Sequence, residues 1–168
     1  METSSRSETT LVQAQEAVRS FHAKFGFPRD AVLCDQYDED AETTLSDVSA
    51  GLSVLSRLIK TEAMQAQADA VDIRLYRAHL LIEELSEVIV AMANRDEIEL
   101  ADGLGDLTYV VLGTAVAFSI PVAECFDTIH VSNMSKTRGP GDERMKSRRH
   151  EGYVKPAIGD AIEKVRGW

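Results

Sequence analysis

The sequence has little of several features that mark common classes of protein. Its two cysteines, Cys34 and Cys125, are too few for a disulfide framework and form no metal-binding pair. The first ten residues, METSSRSETT, lack the apolar core of a signal peptide. The longest apolar run, 109–118, is interrupted by Gly113 and Thr114 and falls short of the ~18 residues that a membrane span needs. We therefore predict a cytoplasmic protein with no membrane partner.

Positive charge is scarce outside the C-terminal end. The net charge is −10, which argues against nucleic acid as a partner. Residues 136–168 nevertheless hold nine Lys/Arg and five Asp/Glu. An acidic body followed by a basic C-terminal tail, here 137–168, suits a metal site combined with phosphate-binding cations. From the charge alone, a solvated tail without such a role is the preferred interpretation.

Helical periodicity, in contrast, is present over most of the chain. Apolar residues recur at helical spacing from about 9 to 25, from 45 onward, from 69 to 93 and from 97 to 118. Gly26 is placed to end the first helix, and Pro121 and Pro156 are placed to begin later ones. The segment 35–44 is interpreted as an acidic connector. No segment alternates like a strand, so we predict a single all-α domain, a helical bundle over 1–168.

The helix predicted over 69–93 carries three carboxylates in an apolar setting. Glu83, Glu84 and Glu87 lie within a quarter-turn of one another at ~100° per residue, and Leu80 and Val90 flank them. The core-facing stripe on the other side comprises Leu81, Leu85, Val88 and Met92. Burying a carboxylate is costly unless its charge is compensated. We therefore expect a compensating group beside these glutamates.

The next predicted helix repeats this pattern with Glu99, Asp102 and Asp106 on one face. Its core-facing stripe comprises Leu100, Leu104, Leu107 and Val111. A short turn joins the two helices, so they should form an antiparallel hairpin with facing acidic sides. Because Mg²⁺ and Mn²⁺ prefer carboxylate oxygens, a metal site for phosphate chemistry is predicted. Solvated acids are the alternative, and for Glu99 a capping box with Asp96 is preferred.

Three ordered segments, EELSE, ADGLGDLTYVVLGTAVAFSI and FDTIHVSNMSK, resemble the all-α nucleoside triphosphate pyrophosphohydrolases. This is the MazG-like superfamily, which includes dimeric dUTPases and phosphoribosyl-ATP pyrophosphohydrolase, and the resemblance is to the latter's branch in particular. It covers about 76–138, with a looser match at 15–27. It implies a four-helix-bundle-like MazG-type fold that forms homodimers or homotetramers. Against this pattern, 35–70 stands out as an extra helical insertion.

The resemblance also implies a Mg²⁺ or Mn²⁺ cofactor held by an ExxE pair and an ExxD pair. Carried over, Glu84 and Glu87 form the first pair, and Asp106 is the aspartate of the second. The family usually has a glutamate three residues before this aspartate, but Gly103 stands there. Asp102 is the expected substitute. A glycine within a helix costs ~1 kcal/mol against alanine, which indicates close packing by a neighbouring helix or by substrate.

Substrate contacts are expected in two other segments. Asn133 and Lys136 lie in the segment that resembles the family's substrate-contacting one, and Arg138 follows it. Phe21 and His22 share a helix face that would suit base stacking, although core packing is the commoner role of phenylalanine. We predict that these five residues bind the substrate.

The predicted function is hydrolysis of a nucleoside triphosphate to the monophosphate and pyrophosphate, with dUTP and dCTP among the candidate substrates. Glu83 or Glu84 is the predicted catalytic base that accepts a proton from the attacking water. Two alternatives stay open. One is a catalytically impaired helical oligomer that binds nucleotide or metal, which Gly103 suggests, and the other is a phosphoribosyl-ATP pyrophosphohydrolase. His79 and His130, lone histidines on apolar helices, are predicted to be structural.

Overall fold

The computed structural model describes residues 9–65, 72–138 and 147–166. The helices of this part of the chain are α1 Leu11–Phe25, α2 Glu39–Gln65, α3 Ile73–Asn94, α4 Glu97–Phe118, α5 Val122–Met134 and α6 Ile158–Arg166, with a 3-10 turn at Leu33–Asp35. One isolated β-bridge pairs Thr137 with Arg148. The predicted all-α fold is confirmed. Residues 66–70 of the predicted insertion, and 139–146 and 167–168 of the predicted tail, lie outside the described residues.

The chain divides into two compact units. The terminal unit comprises Met1–Ala31 and Ile120–Trp168, and in it α5 packs against both α1 and α6. The central unit comprises Val32–Ser119, and in it α3 packs between α2 and α4. The single domain over 1–168 stays a prediction.

The boundaries of α1 follow from its two ends. The Thr10 hydroxyl accepts from the Gln13 N–H, while the Gln13 side chain accepts from the Thr10 N–H, which is a complete capping box. At the other end Gly26 adopts the left-handed conformation with φ 71° and donates its N–H to the His22 carbonyl. The predicted stop at Gly26 is therefore confirmed, because this conformation costs glycine little.

The start of α2 corrects the expectation of a connector over 35–44. The Asp38 carboxylate accepts from the Ala41 N–H at 2.9 Å, and the Asp38 carbonyl accepts from the Glu42 N–H at 2.9 Å. The first turn also contains Glu39 and Asp40, and negative charge is favourable at a helix N-terminus. The acidic run therefore begins a helix, and α2 occupies most of the segment predicted as an insertion.

The interface between α2 and α3 is polar. The Ser49 hydroxyl donates to the Ser86 carbonyl at 2.9 Å, and the Ser53 and Ser86 hydroxyl oxygens are 2.8 Å apart. Ser56 Oγ lies 2.7 Å from Nδ1 of His79. The apolar residues that gave α2 its period are in part exposed, namely Val48, Leu55 and Leu58. Serine side chains therefore form hydrogen bonds across the contact of α2 with α3.

α3 and α4 form the predicted hairpin, and they approach closely at Gly103. A Cβ at this position would lie 3.1 Å from Cγ2 of Val88 on α3, so the predicted close packing is confirmed and the neighbour is a helix of the same unit. Farther along, the Arg77 guanidinium on α3 donates to the Val110 carbonyl at 2.6 Å and to the Thr114 hydroxyl at 3.1 Å. These contacts hold both ends of the hairpin together.

The buried side of α4 differs from the predicted stripe. Its buried residues are Gly103, Val110 and Ala115, whereas Leu104 and Val111 are exposed. The reason is the contact at Gly103, because the residue with no side chain is the one that faces α3. The helix is therefore rotated by about one residue relative to the stripe that hydrophobicity alone predicts.

The turn between α3 and α4 is fixed by Arg95 and Asp96. Arg95 adopts the left-handed conformation with φ 56°, and its guanidinium pairs with the Glu42 carboxylate on α2 at 2.8 Å. The Asp96 carboxylate accepts from the N–H groups of Ile98 and Glu99. The bond from the Glu99 N–H to the Asp96 side chain is one half of the predicted capping box. The other half does not form, because the Asp96 N–H donates to the Ala91 carbonyl and not to the Glu99 side chain.

α4 exposes much of its apolar surface. Ile98 and Val116 are each 80% exposed and Tyr109 is 79% exposed. By length and composition α4 is the one helix in the described part of the chain that could cross a membrane, a test that core helices of soluble proteins also pass. A spanning α4 would place Asp102 and Asp106 in hydrocarbon, which is costly. The exposed side chains are better suited to contact with protein.

Two glycines of α4 provide a test of the close approach. We expect Gly103→Ala to be less stable than Gly105→Ala by ~1–3 kcal/mol, the cost of overpacking a filled interface. Gly105 is the matched control, because no atom of the described chain lies within 4 Å of a Cβ there and alanine gains ~1 kcal/mol in helix propensity. Urea unfolding of both variants measures the difference. Equal stabilities would show that α3 and α4 do not meet at Gly103.

Candidate active site

The five predicted acids belong to the hairpin of the central unit. Glu83, Glu84 and Glu87 project from α3, and Asp102 and Asp106 project from α4. Glu83 and Glu84 are half-buried, whereas the other three are exposed. The two candidate proton acceptors are therefore the more enclosed members of the group.

Glu84 is the point at which the charges of this group converge. Burial is the largest cause that raises the pKa of the Glu84 carboxyl, followed by the negative charges of Glu87, Asp106, Glu83 and Asp102. Both causes disfavour the ionised form. The hairpin therefore brings all five predicted acids within electrostatic reach of one carboxylate.

A divalent metal fits this group by its chemistry. All the donors are carboxylate oxygens, which hard cations such as Mg²⁺ and Mn²⁺ prefer, and a cation would relieve the repulsion that raises the pKa of Glu84. Among the described residues, however, no three His, Cys, Asp or Glu side chains are grouped closely enough to form a ready-made metal site. The residues that would hold such an ion are therefore inferred from the chemistry of their carboxylates.

The position of Gly103 explains how the second acidic motif departs from the family pattern. Gly103 is buried against Val88, so a glutamate there would have to displace α3. Asp102, one residue earlier, is exposed, and its charge contributes to the raised pKa of Glu84. The close packing of the hairpin therefore favours Asp102 as the substitute acid.

A cavity of about 460 Å³ lies between α2 and α3. Its acidic wall is formed by Glu83 and Glu87, and Arg57 also borders it. The remaining lining residues are Ser49, Ser53, Ser56, Ser86 and Val90. No motif in the sequence marks these serines as functional. The spacing of Ser49, Ser53 and Ser56 along α2, every three or four residues, was the available signal.

In the terminal unit the predicted substrate contacts gather where α1 and α5 end. The Lys136 ammonium donates to Oδ1 of Asn133 at 2.8 Å. The Arg138 guanidinium lies against Gly26, where a Cβ would be 2.7 Å from its Nη2. Lys24 of α1 donates to the Met134 carbonyl of α5. Asn133, Lys136 and Arg138 are thus on one side of this unit.

Phe21 and His22 belong to an aromatic cluster of the same unit. The ring of Phe21 lies 4.7 Å from Phe25 and 5.5 Å from Phe27, and His22 lies 5.3 Å from Phe27. Phe25 is 0% exposed and therefore packs in the core. Phe21 and His22 are half-buried and keep part of their rings accessible.

Tyr153 and Arg149 were not singled out from the sequence as a pair. The Ser132 hydroxyl donates to the Tyr153 oxygen at 3.1 Å, and the Arg149 guanidinium lies 4.9 Å from the Tyr153 ring centre. The hydrogen bond from Ser132 is the largest cause that lowers the pKa of Tyr153, and the charges of Arg149 and Lys136 add to it. Arg149 and Lys136 are therefore both within electrostatic reach of Tyr153.

Residues 52–133 match the family model described as phosphoribosyl-ATP pyrophosphohydrolase. The matched region begins within α2, includes all of α3 and α4, and ends at Asn133 of α5. Comparison with curated proteins and with solved structures gives no match. All five acids of the hairpin lie inside the matched region.

The raised pKa of Glu84 predicts how stability depends on pH. A group whose pKa is higher in the folded state stabilises the fold below its unfolded pKa and loses that contribution as pH rises through the folded pKa. Near neutral pH, ionised Glu84 therefore destabilises the metal-free protein. We expect Glu84→Gln to melt above wild type there, and this difference to vanish below the ordinary glutamate pKa of 4.5.

Calorimetry of the metal-free proteins at several pH values measures this difference. Glu62→Gln, which removes a carboxylate at an exposed position on α2 outside the acidic group, is the control and should not reproduce the rise in melting temperature. Added Mn²⁺ should stabilise wild type more than Glu84→Gln. A ligand that binds the folded state raises its stability, and the variant lacks one of the carboxylates proposed to hold the ion. If the difference in melting temperature between Glu84→Gln and wild type did not change with pH, this would contradict the crowding of carboxylates around Glu84.

Proposed function

We propose, from the membership of residues 52–133 in the all-α nucleotide pyrophosphohydrolase superfamily, that this chain hydrolyses a nucleoside triphosphate to the monophosphate and pyrophosphate. The family match confirms the superfamily and the class of enzyme that the sequence predicted. The observation that supports the site is the convergence of four carboxylates, from both helices of the hairpin, on Glu84.

Enzymes of this superfamily generally depend on a divalent metal. The cofactor proposed here is Mg²⁺ or Mn²⁺, with Glu84, Glu87, Asp102 and Asp106 as the residues that would hold it. Such an ion supplies positive charge beside the triphosphate oxygens. Without that charge, the carboxylates of the hairpin would repel the phosphates of the substrate.

Glu83 is the proposed proton acceptor, with Glu84 as the alternative. Glu83 is not among the four proposed ligands, and its carboxylate lines the cavity beside α2. It takes a proton from the water whose oxygen bonds to the α-phosphorus. The bond from the α-phosphorus to the bridging oxygen breaks, pyrophosphate leaves with the electron pair, and Glu83 returns the proton to solvent.

Asn133, Lys136, Arg138, Phe21 and His22 are the proposed substrate contacts. Lys136 and Arg138 supply cations for phosphate oxygens, and the half-buried rings of Phe21 and His22 suit stacking against a base. Deoxynucleotides such as dUTP and dCTP are the first candidates. Phosphoribosyl-ATP is the second candidate substrate, because the matching family is described as phosphoribosyl-ATP pyrophosphohydrolase.

A homo-oligomer, dimeric or tetrameric, is part of the proposal, as is a cytoplasmic location. The apolar side chains that α4 exposes, above all Ile98, Tyr109 and Val116, support burial against a second copy of the chain. No nucleic acid or membrane partner is proposed, in keeping with the net charge of −10.

The proposed chemistry predicts a strong effect of isosteric changes in the acidic group. Glu84→Gln and Asp106→Asn should each lower pyrophosphate release by ~100-fold or more, because each removes a negative oxygen without changing the shape of the side chain. Pyrophosphate release from a panel of ribo- and deoxynucleoside triphosphates and phosphoribosyl-ATP, in Mg²⁺ and in Mn²⁺, measures the effect and identifies the substrate.

Glu62→Gln and Asp47→Asn, at exposed positions on α2, are the matched controls and should keep full activity. Near-normal release by either site variant would remove that residue from the site. A wild type that binds nucleotide but turns over none of the panel would establish the catalytically impaired alternative.

The exposed face of α4 provides a test of oligomerisation. Val116→Asp should convert the oligomer to the single chain of 18.5 kDa, because a charge would be buried at an apolar contact. Ala50→Asp, exposed on α2, is the control and should leave the mass unchanged. Light scattering after size exclusion gives both masses. A wild type that is already monomeric would contradict the proposal.

A further inference from the structure

His79 is a buried histidine that the proposed reaction does not use. It is 2% exposed and lies one turn of α3 before Glu83. Its Nδ1 is 2.7 Å from Oγ of Ser56 on α2, and its Nε2 is 3.5 Å from Oε2 of Glu83. The imidazole therefore links the proposed proton acceptor to α2.

The contacts of the two ring nitrogens decide where the imidazole proton lies. If Nδ1 carried it alone, Nε2 would present a lone pair to the Glu83 carboxylate, which is unfavourable. With the proton on Nε2, the ring presents an N–H to Glu83 and Nδ1 accepts from the Ser56 hydroxyl at 2.7 Å, in preference to the His79 carbonyl, which lies farther from that hydroxyl at 3.3 Å. A buried ring nitrogen needs such a partner, and the second contact of a histidine commonly fixes its tautomer.

We propose that His79 and Ser56 are positioning residues for Glu83. Ser56 keeps the imidazole proton on Nε2, and this N–H group holds one oxygen of the Glu83 carboxylate while the other faces the cavity between α2 and α3. The inference rests on the proposed function, since it adds a support behind the proposed proton acceptor. It also gives α2, which belongs largely to the predicted insertion, a part in the site.

The geometry suits support of a carboxylate better than a purely structural bond. The distance from Nε2 to Glu83 is long for a hydrogen bond, as is common for catalytic contacts in the absence of substrate. The Glu83 side chain is 42% exposed and lines the cavity, whereas Ser56 is 3% exposed. The buried end of this series of contacts is therefore Ser56 on α2, and the exposed end is Glu83 at the cavity.

Kinetics of paired variants test the positioning role. His79→Leu should lower kcat by ~10–100-fold, the usual effect of losing a group that orients a site residue, with KM little changed because His79 does not contact substrate. His79→Gln should recover most of kcat, since its amide can accept from Ser56 and donate to Glu83. Ser56→Ala should lower kcat, while Ser56→Thr, which keeps the hydroxyl, should not.

Two control variants match these changes outside the contact. Ser46→Ala removes a serine whose hydroxyl bonds only to the Glu42 carbonyl of its own helix. His130→Gln removes a histidine stacked on Phe126 in the terminal unit. Both should keep wild-type kcat. Equal losses in His79→Gln and His79→Leu, or a loss confined to KM, would overturn the positioning role.

The tautomer is measured without any turnover. The chain has four histidines, so long-range ¹H–¹⁵N spectra of wild type and His79→Gln identify the His79 ring. Wild type should show a protonated Nε2, and Ser56→Ala should shift protons toward Nδ1. An unprotonated Nε2 in wild type overturns the inference even if the enzyme is active. If the spectra agree but no nucleotide is hydrolysed, the proposed function fails and the contact is only structural.

Discussion

The repulsion among five carboxylates on one helical hairpin is the constraint on which the central unit depends. Each acid disfavours ionisation of Glu84, and burial of Glu84 adds to the effect. A hairpin held only by apolar side chains could separate slightly and relieve that repulsion. The acidic group persists because other contacts fix the distance between α3 and α4.

Those contacts lie within the acidic group and on either side of it. Gly103 allows the two backbones to approach at Val88, Arg77 binds the carbonyl of Val110, and the Arg95–Glu42 pair ties the turn to α2. None of the three depends on the charge of the acids. A scaffold of this kind can hold carboxylates at close quarters in the absence of metal, which is the preorganisation that a cation-dependent site requires.

Much of this arrangement could be predicted from the sequence. The spacing of Glu83, Glu84 and Glu87, and of Asp102 and Asp106, placed the acids on facing helices, because a helix converts spacing directly into a shared side. Gly26 marked the end of α1 for an equally local reason. These predictions needed only the backbone geometry of one element.

Features that depend on contact between elements were missed. The run 35–44 is predicted to be an acidic connector, whereas the Asp38 carboxylate accepts from the Ala41 N–H and the acids that follow form the first turn of α2. The apolar period of α2 does not indicate that Ser49, Ser53 and Ser56 form hydrogen bonds with α3. His79 is predicted to be structural because it is a lone histidine on an apolar helix, and its contact with Ser56, 23 residues away, could not be predicted. No periodicity within one helix identifies such a pairing.

The central unit buries several polar groups together with its apolar core, and it exposes part of its apolar surface. Ser49, Ser56, Ser86 and His79 are buried between α2 and α3, while Ile98, Tyr109 and Val116 of α4 face outward. Hydrogen-bonded polar contacts contribute ~1 kcal/mol each, and burial of a large apolar side chain contributes ~1.5–3 kcal/mol. The polar contacts between α2 and α3 therefore orient side chains but contribute less stability than apolar contacts would. The proposed second copy of the chain, packed on α4, would restore that stability without altering the serine-lined interface. The α2 side of the hairpin would then orient the side chains, and the α4 side would stabilise the fold.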